Sequence, residues 1–519
     1  MRFFTPDALH INEKNFKSLL SFIKDNKHTL IQNAAYKDLI ARFGDYSDIE
    51  NESIELIKKE LCILGEEELF RADDFGINLF KVAKSEILSF VLADDEYTFK
   101  DTSDNHALFA HLHSKHFEVL LNNLSVARFW IRYWKKYFQV NRFDVALIFS
   151  GSLIYQRSAI ELLKFNTARV YLLETYLTGN DFYIEERYKP ISGDSLLKYE
   201  NYYSNLFVEE TPSNYMKAIN KYLMTQNLNV KQPERTGTQL FNNNQKTILI
   251  IGQVVNDFSL IENDIYSIDI YIELIEKIMA KTNYNVIFKS HPWESHKANL
   301  KKAFTLDKVS KKIAANDRLK YIDNFNICEL FDQVSHVILI NSQAGIDAAW
   351  NGIRPIVLTR AFYSQKGFTF DAGCIDRAIE YIKNTEDSTL TIDEFKLFEQ
   401  YLIRSFLGHL ISKFPSGKVA LSKIFNYEKQ IPLYRREQKN NPKPIATPEI
   451  KPEAKPIKDR QKESKAIVIV RNQNEIQKKE NKLLIKFKRD PISYFLDSKF
   501  LLLRGIGRVC RRCHEIFSH

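Results

Sequence analysis

Three short apolar runs in the second half of the chain are each followed at once by a polar segment. The runs are Thr247–Ile251, 285–288 and 336–340, and β-branched residues are frequent in them. Such runs, separated by stretches with helical spacing, predict parallel strands of an α/β sheet whose faces are covered. Because ligands bind beyond the carboxyl ends of the strands in such sheets, we expect the three polar segments to meet in one crevice.

The polar segments supply three kinds of chemical group. Residues 252–259 (Gly-Gln-Val-Val-Asn-Asp-Phe-Ser) place the carboxylate of Asp257 just beyond the first run. Residues 289–294 (Lys-Ser-His-Pro-Trp-Glu) place a His-Pro pair beyond the second run. Residues 341–347 (Asn-Ser-Gln-Ala-Gly-Ile-Asp) open a helix with a hydroxyl and an amide beyond the third. This combination suits an anionic nucleotide-sugar.

Asp257 is the candidate catalytic carboxylate. Glycosyl transfer needs a base that activates the acceptor hydroxyl or a carboxylate nucleophile that holds the sugar. The alternative is a loop aspartate that caps the next helix. Considered alone, Asp257 is more consistent with the capping role. Catalysis is favoured only when Asp257 is considered together with the other two segments.

The other two segments carry candidate donor-binding groups. His291, backed by Lys289, can donate to a phosphate or carboxylate, although a single strand-end histidine is more often a surface residue. It is not a plausible metal ligand, because no second His or Cys lies at ligand spacing. Ser342 opens a helix whose free amides and dipole attract anions, or it is an ordinary N-cap. Gly345 permits close backbone approach, and Asp347 can accept from a ribose or sugar hydroxyl.

An earlier β-loop-α-β pattern predicts a first α/β domain. Residues 144–149 form a strand pattern that runs into Ser-Gly-Ser, and the strand pattern of residues 168–173 ends at Glu174. Helical spacing is evident over 15–24 and 117–137. The predicted organisation is a mostly helical region over 1–140, a first Rossmann-like, acceptor-side domain over 141–240 together with parts of 1–140, a nucleotide-sugar-binding domain over 244–427, a Pro/Lys-rich disordered linker over 428–477, and a basic amphipathic tail over 478–519.

The positive charge of the chain is concentrated at its C-terminal end. The formal net charge is +9, but residues 431–519 hold 22 Lys and Arg against 10 Asp and Glu, which leaves the rest slightly acidic. A nucleic-acid-binding core is therefore not supported. Six of the 14 prolines lie in 431–460, as in a linker without a core. In the tail, bulky apolar residues alternate with Lys and Arg, which favours membrane or partner docking over packing on the protein itself.

Other features exclude several classes of protein. The chain has only 16 Gly and neither a G-x-G-x-x-G nor a G-x-x-x-x-G-K-[ST] motif. Five scattered cysteines fit a reducing cytoplasm rather than a disulfide framework. We find no signal-peptide h-region at the start and no apolar stretch of spanning length. Residues 510–514 (Cys-Arg-Arg-Cys-His) match haem-attachment spacing, but they lie in a basic tail without a haem-binding fold.

The three segments, together with residues 352–357 and 360–371, resemble a known family. They are similar to bacterial capsule polysaccharide biosynthesis proteins that include the retaining β-Kdo transferases. That family has G-Q-V-x-x-D-x-S, K-x-H-P and S-Q-x-G-x-E-A…G-x-P-V segments, followed by R-P-F-Y-A-G-W-G-L-T-x-D. The resemblance covers roughly residues 140–430 and is densest over 246–371. Each motif is weak alone, but four in the family's order are fairly specific.

The resemblance implies a GT-B-like fold in which two Rossmann-like domains face a cleft, and a CMP-activated sugar donor. It implies that Asp257 is the catalytic carboxylate, a nucleophile in a double displacement, and that Glu174 is the acidic residue on the acceptor side. No metal is expected. The residues it places on the donor side are Gln253, Lys289, His291, Pro292, Ser342, Gln343, Gly345, Asp347, Arg360 and Tyr363.

This sequence departs from the family pattern at several positions. Asp347 stands where the family has Glu, Ala361 replaces a proline, and residues 364–366 (Ser-Gln-Lys) replace Ala-Gly-Trp. The region around Tyr363 is expected to shape the sugar pocket, so these departures concern the identity of the donor sugar more than the activated-sugar chemistry.

We therefore expect a cytoplasmic glycosyltransferase of capsule or surface-glycan assembly, attached peripherally to the inner membrane. It would move Kdo or a related acidic sugar from its CMP ester to a glycan or lipid-linked acceptor. Two alternatives stay open. One is a transferase that uses another nucleotide-sugar, and the other is a non-catalytic capsule assembly or export protein that keeps the fold.

Overall fold

A computed structural model describes most of the first 425 residues. The described residues are 1–93, 99, 104–175, 182–191, 232–292, 294, 304–314, 316–405, 421 and 424–425. They belong to one compact unit, Met1–Pro442. The predicted linker over 428–477 and the tail over 478–519 lie outside the described residues.

The first sheet has five strands and takes two of them from the N-terminal region. Its strands are β1 (Arg2–Thr5), β2 (Thr29–Gln32), β5 (Val145–Phe149), β6 (Arg169–Thr175) and β7 (Phe182–Glu186). The order is β2-β1-β5-β6-β7, parallel except for the antiparallel β6–β7 pair. The separate hairpin β3–β4 consists of Asp73–Asp74 and Ile77–Asn78.

The strands β1 and β2 were not anticipated within a region described as mostly helical. Each is only four residues long, so neither gives a periodic pattern that can be distinguished from a loop. β1 nevertheless lies in the sheet interior, and its residues Phe3 and Phe4 are fully buried. The long helix Phe117–Val140 spans residues 117–137, where helical spacing is evident in the sequence.

The second sheet is six-stranded and entirely parallel. Its strands are β8 (Thr247–Ile251), β9 (Asn285–Lys289), β10 (Leu319–Ile322), β11 (His336–Leu339), β12 (Pro355–Val357) and β13 (Phe370–Asp371), in the order β10-β9-β8-β11-β12-β13. Every residue of β8 and β9 is buried. The prediction of an α/β protein with two Rossmann-like sheets is confirmed, and the three apolar runs are the strands β8, β9 and β11.

Helices cover the sheets and connect their strands. The α-helices of the described residues are Lys17–Asp25, Glu52–Leu61, Glu66–Arg71, Leu79–Val91, Asn105–Lys115, Phe117–Val140, Ile154–Leu163, Phe258–Ile261, Asp269–Lys281, Phe304–Lys312, Ile327–Phe331, Ala344–Trp350, Ile375–Asn384 and Ile392–Ser405, with a 3-10 turn at Lys37–Leu39. Among the described residues, no helix is both long enough and apolar enough to span a bilayer.

The helix Leu79–Val91 joins the two sheets across the cleft. The buried amide of Asn256, in the loop after β8, donates to the carbonyl of Ser89 over 2.8 Å. Glu262 accepts hydrogen bonds from Ser85 at 2.8 Å and from Ser152, in the loop after β5, at 3.2 Å. The carboxyl edges of the two sheets are thereby held against each other.

The chain also returns to the first sheet near the end of the described residues. Phe425 is buried and packs edge-on against the rings of Phe3 and Tyr171, with centroids 5.1 Å away in each case. The Tyr171 hydroxyl donates to the carbonyl of Ile424 at 2.8 Å, and Arg169 donates to the carbonyl of Phe425 at 2.8 Å. Residues 424–425 therefore belong to the folded body.

Candidate active site

Asp257 lies in the loop between β8 and the short helix Phe258–Ile261. It caps that helix, since its Oδ1 accepts from the Ser259 amide at 2.8 Å. The side chain is half-buried, and its second oxygen has no hydrogen-bond partner among the described residues. Capping and catalysis are thus compatible, because one oxygen orients the carboxylate while the other stays available.

Glu174 approaches the same cleft from the first sheet. It is the sixth residue of β6, half-buried, and Oε1 accepts from the Thr175 amide at 3.2 Å. Burial raises the pKa of the Glu174 carboxyl to about 7, and the negative charge of Asp257 adds to that rise. Two carboxylates 83 positions apart in the sequence are therefore within electrostatic reach of each other.

The segment 341–347 reaches the same place from the end of β11. The Gln343 amide donates to the carbonyl of Thr175, the neighbour of Glu174, over 3.4 Å. Ser342 is half-buried, and its hydroxyl accepts from the Ala344 amide at 3.3 Å, one residue before the helix N-cap, Gln343. The structure thus brings Glu174, Asp257 and the Ser342–Gln343 pair to one crevice.

Gln253 is buried and links the loop after β8 to the loop after β11 by hydrogen bonds. Its Nε2 donates to Asn341 Oδ1 at 2.8 Å and to the Ser259 hydroxyl at 3.1 Å, while its Oε1 accepts from the Asn341 amide at 3.1 Å. The backbone amide of Gln253 donates to the Tyr271 hydroxyl at 2.9 Å. Both ends of this side chain are used within the protein, so its contribution to a site is to position Asp257 and Ser342.

Lys289 and His291 follow β9. The Lys289 ammonium is buried and donates to the carbonyl of Asp323 over 3.0 Å. Burial lowers the pKa of Lys289 to about 8, and the charge of Asp323 partly opposes this change. His291 and Pro292 are half-buried and begin a turn in which the Glu294 amide donates to the His291 carbonyl at 3.1 Å.

Glu294 fixes that turn. The buried carboxylate accepts from the backbone amide of Thr305 at 2.9 Å, at the start of the helix Phe304–Lys312. Desolvation raises the pKa of Glu294, although the hydrogen bonds from Thr305 oppose the rise. The Thr305 hydroxyl in turn donates to the carbonyl of Gln253 at 3.3 Å. The hydrogen bond from Thr305 to Glu294, which supports the His-Pro turn, was not predicted, because Thr305 lies on a helix outside the motif.

Tyr363 is buried and contacts the residues at the start of the helix Ala344–Trp350. Its buried hydroxyl group donates to the Ser342 carbonyl at 2.6 Å. A Cβ on Gly345 would lie only 2.2 Å from that phenolic oxygen, so the close approach predicted for Gly345 is made by Tyr363. Asp347, in the first turn of the helix, is half-buried and contributes to the raised pKa of Cys328, for which burial is the main cause. Arg360 is exposed beyond β12.

Two hydroxyl groups at this edge were missed from the sequence. Ser290 Oγ and Thr359 Oγ1 are buried without a hydrogen-bond partner among the described residues. They lie at the carboxyl ends of β9 and β12, and buried polar groups ordinarily find partners. No sequence signal separates them from other Ser and Thr residues. The described residues contain no cluster of three or more His, Cys, Asp or Glu side chains placed to hold a metal.

Comparison with known proteins gives one family match. Residues 186–403 match the family model described as "Capsule polysaccharide biosynthesis protein". No curated protein matches the sequence. The match contains every donor-side residue named above, together with Asp257, while Glu174 lies just before it.

Solved structures of low identity are also similar. A KpsC β-Kdo 2,4-transferase of Thermosulfurimonas dismutans is 18% identical, with coverage of 50% of this chain and 78% of that one and a TM-score of 0.37. The β-Kdo 2,7-transferase of the same KpsC is 16% identical (53% and 80% coverage, TM-score 0.33). The S. aureus MnaA–UDP co-structure is 11% identical (86% and 99% coverage, TM-score 0.29).

The family match rests on the sequence. The four motifs on which the resemblance was based fall within the matched residues, and the strands they follow have the predicted parallel arrangement. Residues 186–403 of this chain are therefore similar to the capsule polysaccharide biosynthesis protein family, whose model they match.

Proposed function

We propose that this protein is a retaining glycosyltransferase of capsule or surface-polysaccharide synthesis, which transfers Kdo or a related acidic sugar from a CMP-sugar. The observation that carries the proposal is the pairing of Asp257 with Glu174 across the cleft. One carboxylate comes from each sheet, and burial raises the pKa of Glu174, so the two groups suit a base and a nucleophile.

In the first step, the available oxygen of Asp257 attacks the anomeric carbon of the donor sugar. The bond from that carbon to the phosphate oxygen breaks, and CMP departs as an anion. A glycosyl ester on Asp257 is left. The capping hydrogen bond from Ser259 holds the carboxylate in place during the attack.

In the second step, Glu174 removes the proton of an acceptor hydroxyl, whose oxygen attacks the anomeric carbon and releases Asp257. Esterification neutralises Asp257 and so removes one cause of the raised pKa of Glu174. Glu174 therefore ionises more readily at the stage that needs a base. Two inversions give net retention of configuration.

The donor's phosphate and carboxylate require positive or hydrogen-bonding groups. His291 and the start of the helix at Ser342–Gln343 are proposed to supply these groups, and the Lys289 ammonium is proposed to add positive charge. A Lys289 pKa of about 8 leaves this group mostly charged at neutral pH, and a bound anion would stabilise the charge further. No metal is required in this scheme, so transfer should persist in EDTA.

The test is turnover of CMP-Kdo and a panel of UDP-sugars by the purified chain, with Asp257→Asn and Asp264→Asn compared. Asp264 is a matched control, because it follows the same short helix and its carboxylate contacts Lys84 and Tyr266. We expect Asp257→Asn to lose at least about two orders of magnitude in rate and Asp264→Asn to retain activity.

A trapping experiment separates the two steps. Glu174→Gln should form the glycosyl ester but deglycosylate slowly, so intact-mass analysis should detect one sugar on the protein and peptide analysis should place it on Asp257. Turnover of UDP-sugars alone would favour the other transferase class. Donor binding without turnover would favour the assembly protein. Near-normal activity of Asp257→Asn would show that Asp257 is not the nucleophile.

We also propose that the residues from about 478 onward tether the protein to the cytoplasmic face of the inner membrane. The support is the excess of basic residues over 431–519 and the apolar residues interspersed with them. Each basic residue near an anionic surface contributes roughly 1 kcal/mol. The proline-rich linker would let the anchored body reach a lipid-linked glycan.

A further inference from the structure

The loop after β1 carries a polar cluster that the proposed mechanism does not use. The cluster consists of Asp7 and His10 in that loop and Tyr155 and Gln156 at the start of the helix that follows β5. β1 and β5 are adjacent parallel strands, so the cluster lies at the carboxyl edge of the first sheet. Glu174 is the penultimate residue of the next strand, β6, and lies near the same edge.

Buried groups hold the His10 ring by one nitrogen. Nδ1 lies 3.1 Å from the Tyr155 hydroxyl and 3.4 Å from Asp7 Oδ1. The Tyr155 hydroxyl donates to Asp7 Oδ2 at 2.5 Å and accepts from the Gln156 amide at 3.0 Å. Asp7 Oδ1 also accepts from the backbone amide of His10 at 2.9 Å. The position of the imidazole is therefore fixed by a network rather than by a single contact.

The ring plane is fixed as well. It stacks on Phe149, the last residue of β5, with ring centroids 4.8 Å apart and planes within 5°. The side chain of His10 is 18% exposed, whereas that of Asp7 is 3% exposed. Nε2 has no hydrogen-bond partner among the described residues. An imidazole whose inner nitrogen is held by a carboxylate and a hydroxyl presents its outer nitrogen to a ligand in a defined direction.

We propose that His10 Nε2 binds a hydroxyl group of the sugar acceptor, with Asp7 and Tyr155 as positioning residues. This inference deepens the proposed function, on which its assignment to the acceptor rests. A sugar hydroxyl both donates and accepts, so it pairs with either tautomer of the imidazole. The neighbouring Leu9 side chain, 56% exposed, offers an apolar surface for the C–H face of a sugar ring.

The test exploits the different shapes of Asn and Gln. The amide of Asn can replace Nδ1, and so can preserve the internal network, but it does not reach the position of Nε2. The amide of Gln reaches that position. A ligand-binding role therefore predicts that His10→Gln keeps more function than His10→Asn, whereas a purely structural role predicts the reverse order.

His28→Asn is the matched control. His28 is also half-buried and packs against an aromatic ring, that of Phe3 at 5.5 Å, but it immediately precedes β2 and so lies at the amino edge of the sheet. The probe is the octyl glycoside of Kdo. Its binding is measured by saturation-transfer NMR, its glycosylation is measured with CMP-Kdo, and donor hydrolysis is measured without any glycoside.

We expect His10→Asn to raise the KM for the glycoside by about 5- to 10-fold, as the loss of one hydrogen bond does, and to leave donor hydrolysis unchanged. His10→Gln should give a smaller rise, and His28→Asn none. An unchanged KM in His10→Asn, an equal loss of donor hydrolysis, or no binding of the glycoside by the wild type would overturn the inference. His10-dependent binding without any donor turnover would instead refute the proposed function alone.

Discussion

Replacing Glu174 by Gln should stabilise the protein while it abolishes transfer. Glutamine keeps the oxygen that accepts from the Thr175 amide and removes only the charge. The pKa of the carboxyl rises from 4.5 to about 7 on folding, and each pKa unit corresponds to about 1.4 kcal/mol. The ionised form thus costs the folded state up to about 3 kcal/mol, and we expect about 2 kcal/mol because the half-buried side chain keeps some solvent screening.

The size of this stabilising effect depends on pH. Below the unfolded-state pKa of 4.5 both states are protonated at Glu174, and the wild type loses nothing. Above pH 4.5 the unfolded chain is ionised at Glu174, whereas the folded chain keeps the proton until the pH passes the folded-state pKa of about 7. The free energy of unfolding therefore falls as the pH rises through this range. The advantage of Glu174→Gln should therefore be absent near about pH 4 and complete at about pH 8.

Urea denaturation followed by tryptophan fluorescence at several pH values between these limits measures the difference. Glu13→Gln is the control, because Glu13 is exposed in the same half of the protein and should give no pH-dependent difference. A Glu174→Gln variant that is equally stabilised at both limits, or destabilised at about pH 8, would refute the argument that the desolvated charge opposes folding.

Three other groups of variants test separate parts of the structure. His291→Ala and Ser342→Ala should each weaken CMP binding by about 1–3 kcal/mol, and calorimetric titration that detects no change in either variant would place the donor elsewhere. Gly345→Ala should cost about 1–3 kcal/mol of stability by overpacking, because the new methyl group would meet the Tyr363 hydroxyl; an unchanged urea midpoint would contradict the close contact. A chain that ends at residue 430 should stay folded and active on a short acceptor but no longer sediment with anionic vesicles, whereas one that ends at 420 loses Phe425 and should be less stable. Vesicle binding by the 430 truncation equal to that of the full chain would place the tether outside the tail.

Three strands of the second sheet, β8, β9 and β11, could be predicted from the sequence because they are buried on both faces. The run Thr247–Ile251 coincides with β8, and the motif segments begin where β8, β9 and β11 end. A fully apolar run bounded by polar residues leaves little choice of structure. The first sheet was harder to predict, because β1 and β2 are strands of only four residues that form by pairing with segments distant in sequence.

The roles of site residues were less predictable than their locations. Gln253 and Tyr363 share motifs with donor-binding candidates, yet the structure directs both side chains into the protein, toward Asn341 and the Ser342 carbonyl. A motif records that a residue type is needed at a position. It does not record whether the side chain faces a ligand or supports one that does, because that depends on long-range packing.

The pairing of Glu174 with Asp257 is the property that no single segment encodes. Glu174 lies near the end of a strand of one sheet, and Asp257 caps a helix beyond a strand of the other. Neither sequence segment shows that the two residues approach each other. The Asn256–Ser89 hydrogen bond lies one residue from Asp257 and ties its loop to the helix Leu79–Val91. Because two like charges held close destabilise each other, the fold must supply the energy that keeps them together. That energy comes from buried contacts outside the motifs, which is why residues remote from the cleft are expected to influence the ionisation of Glu174.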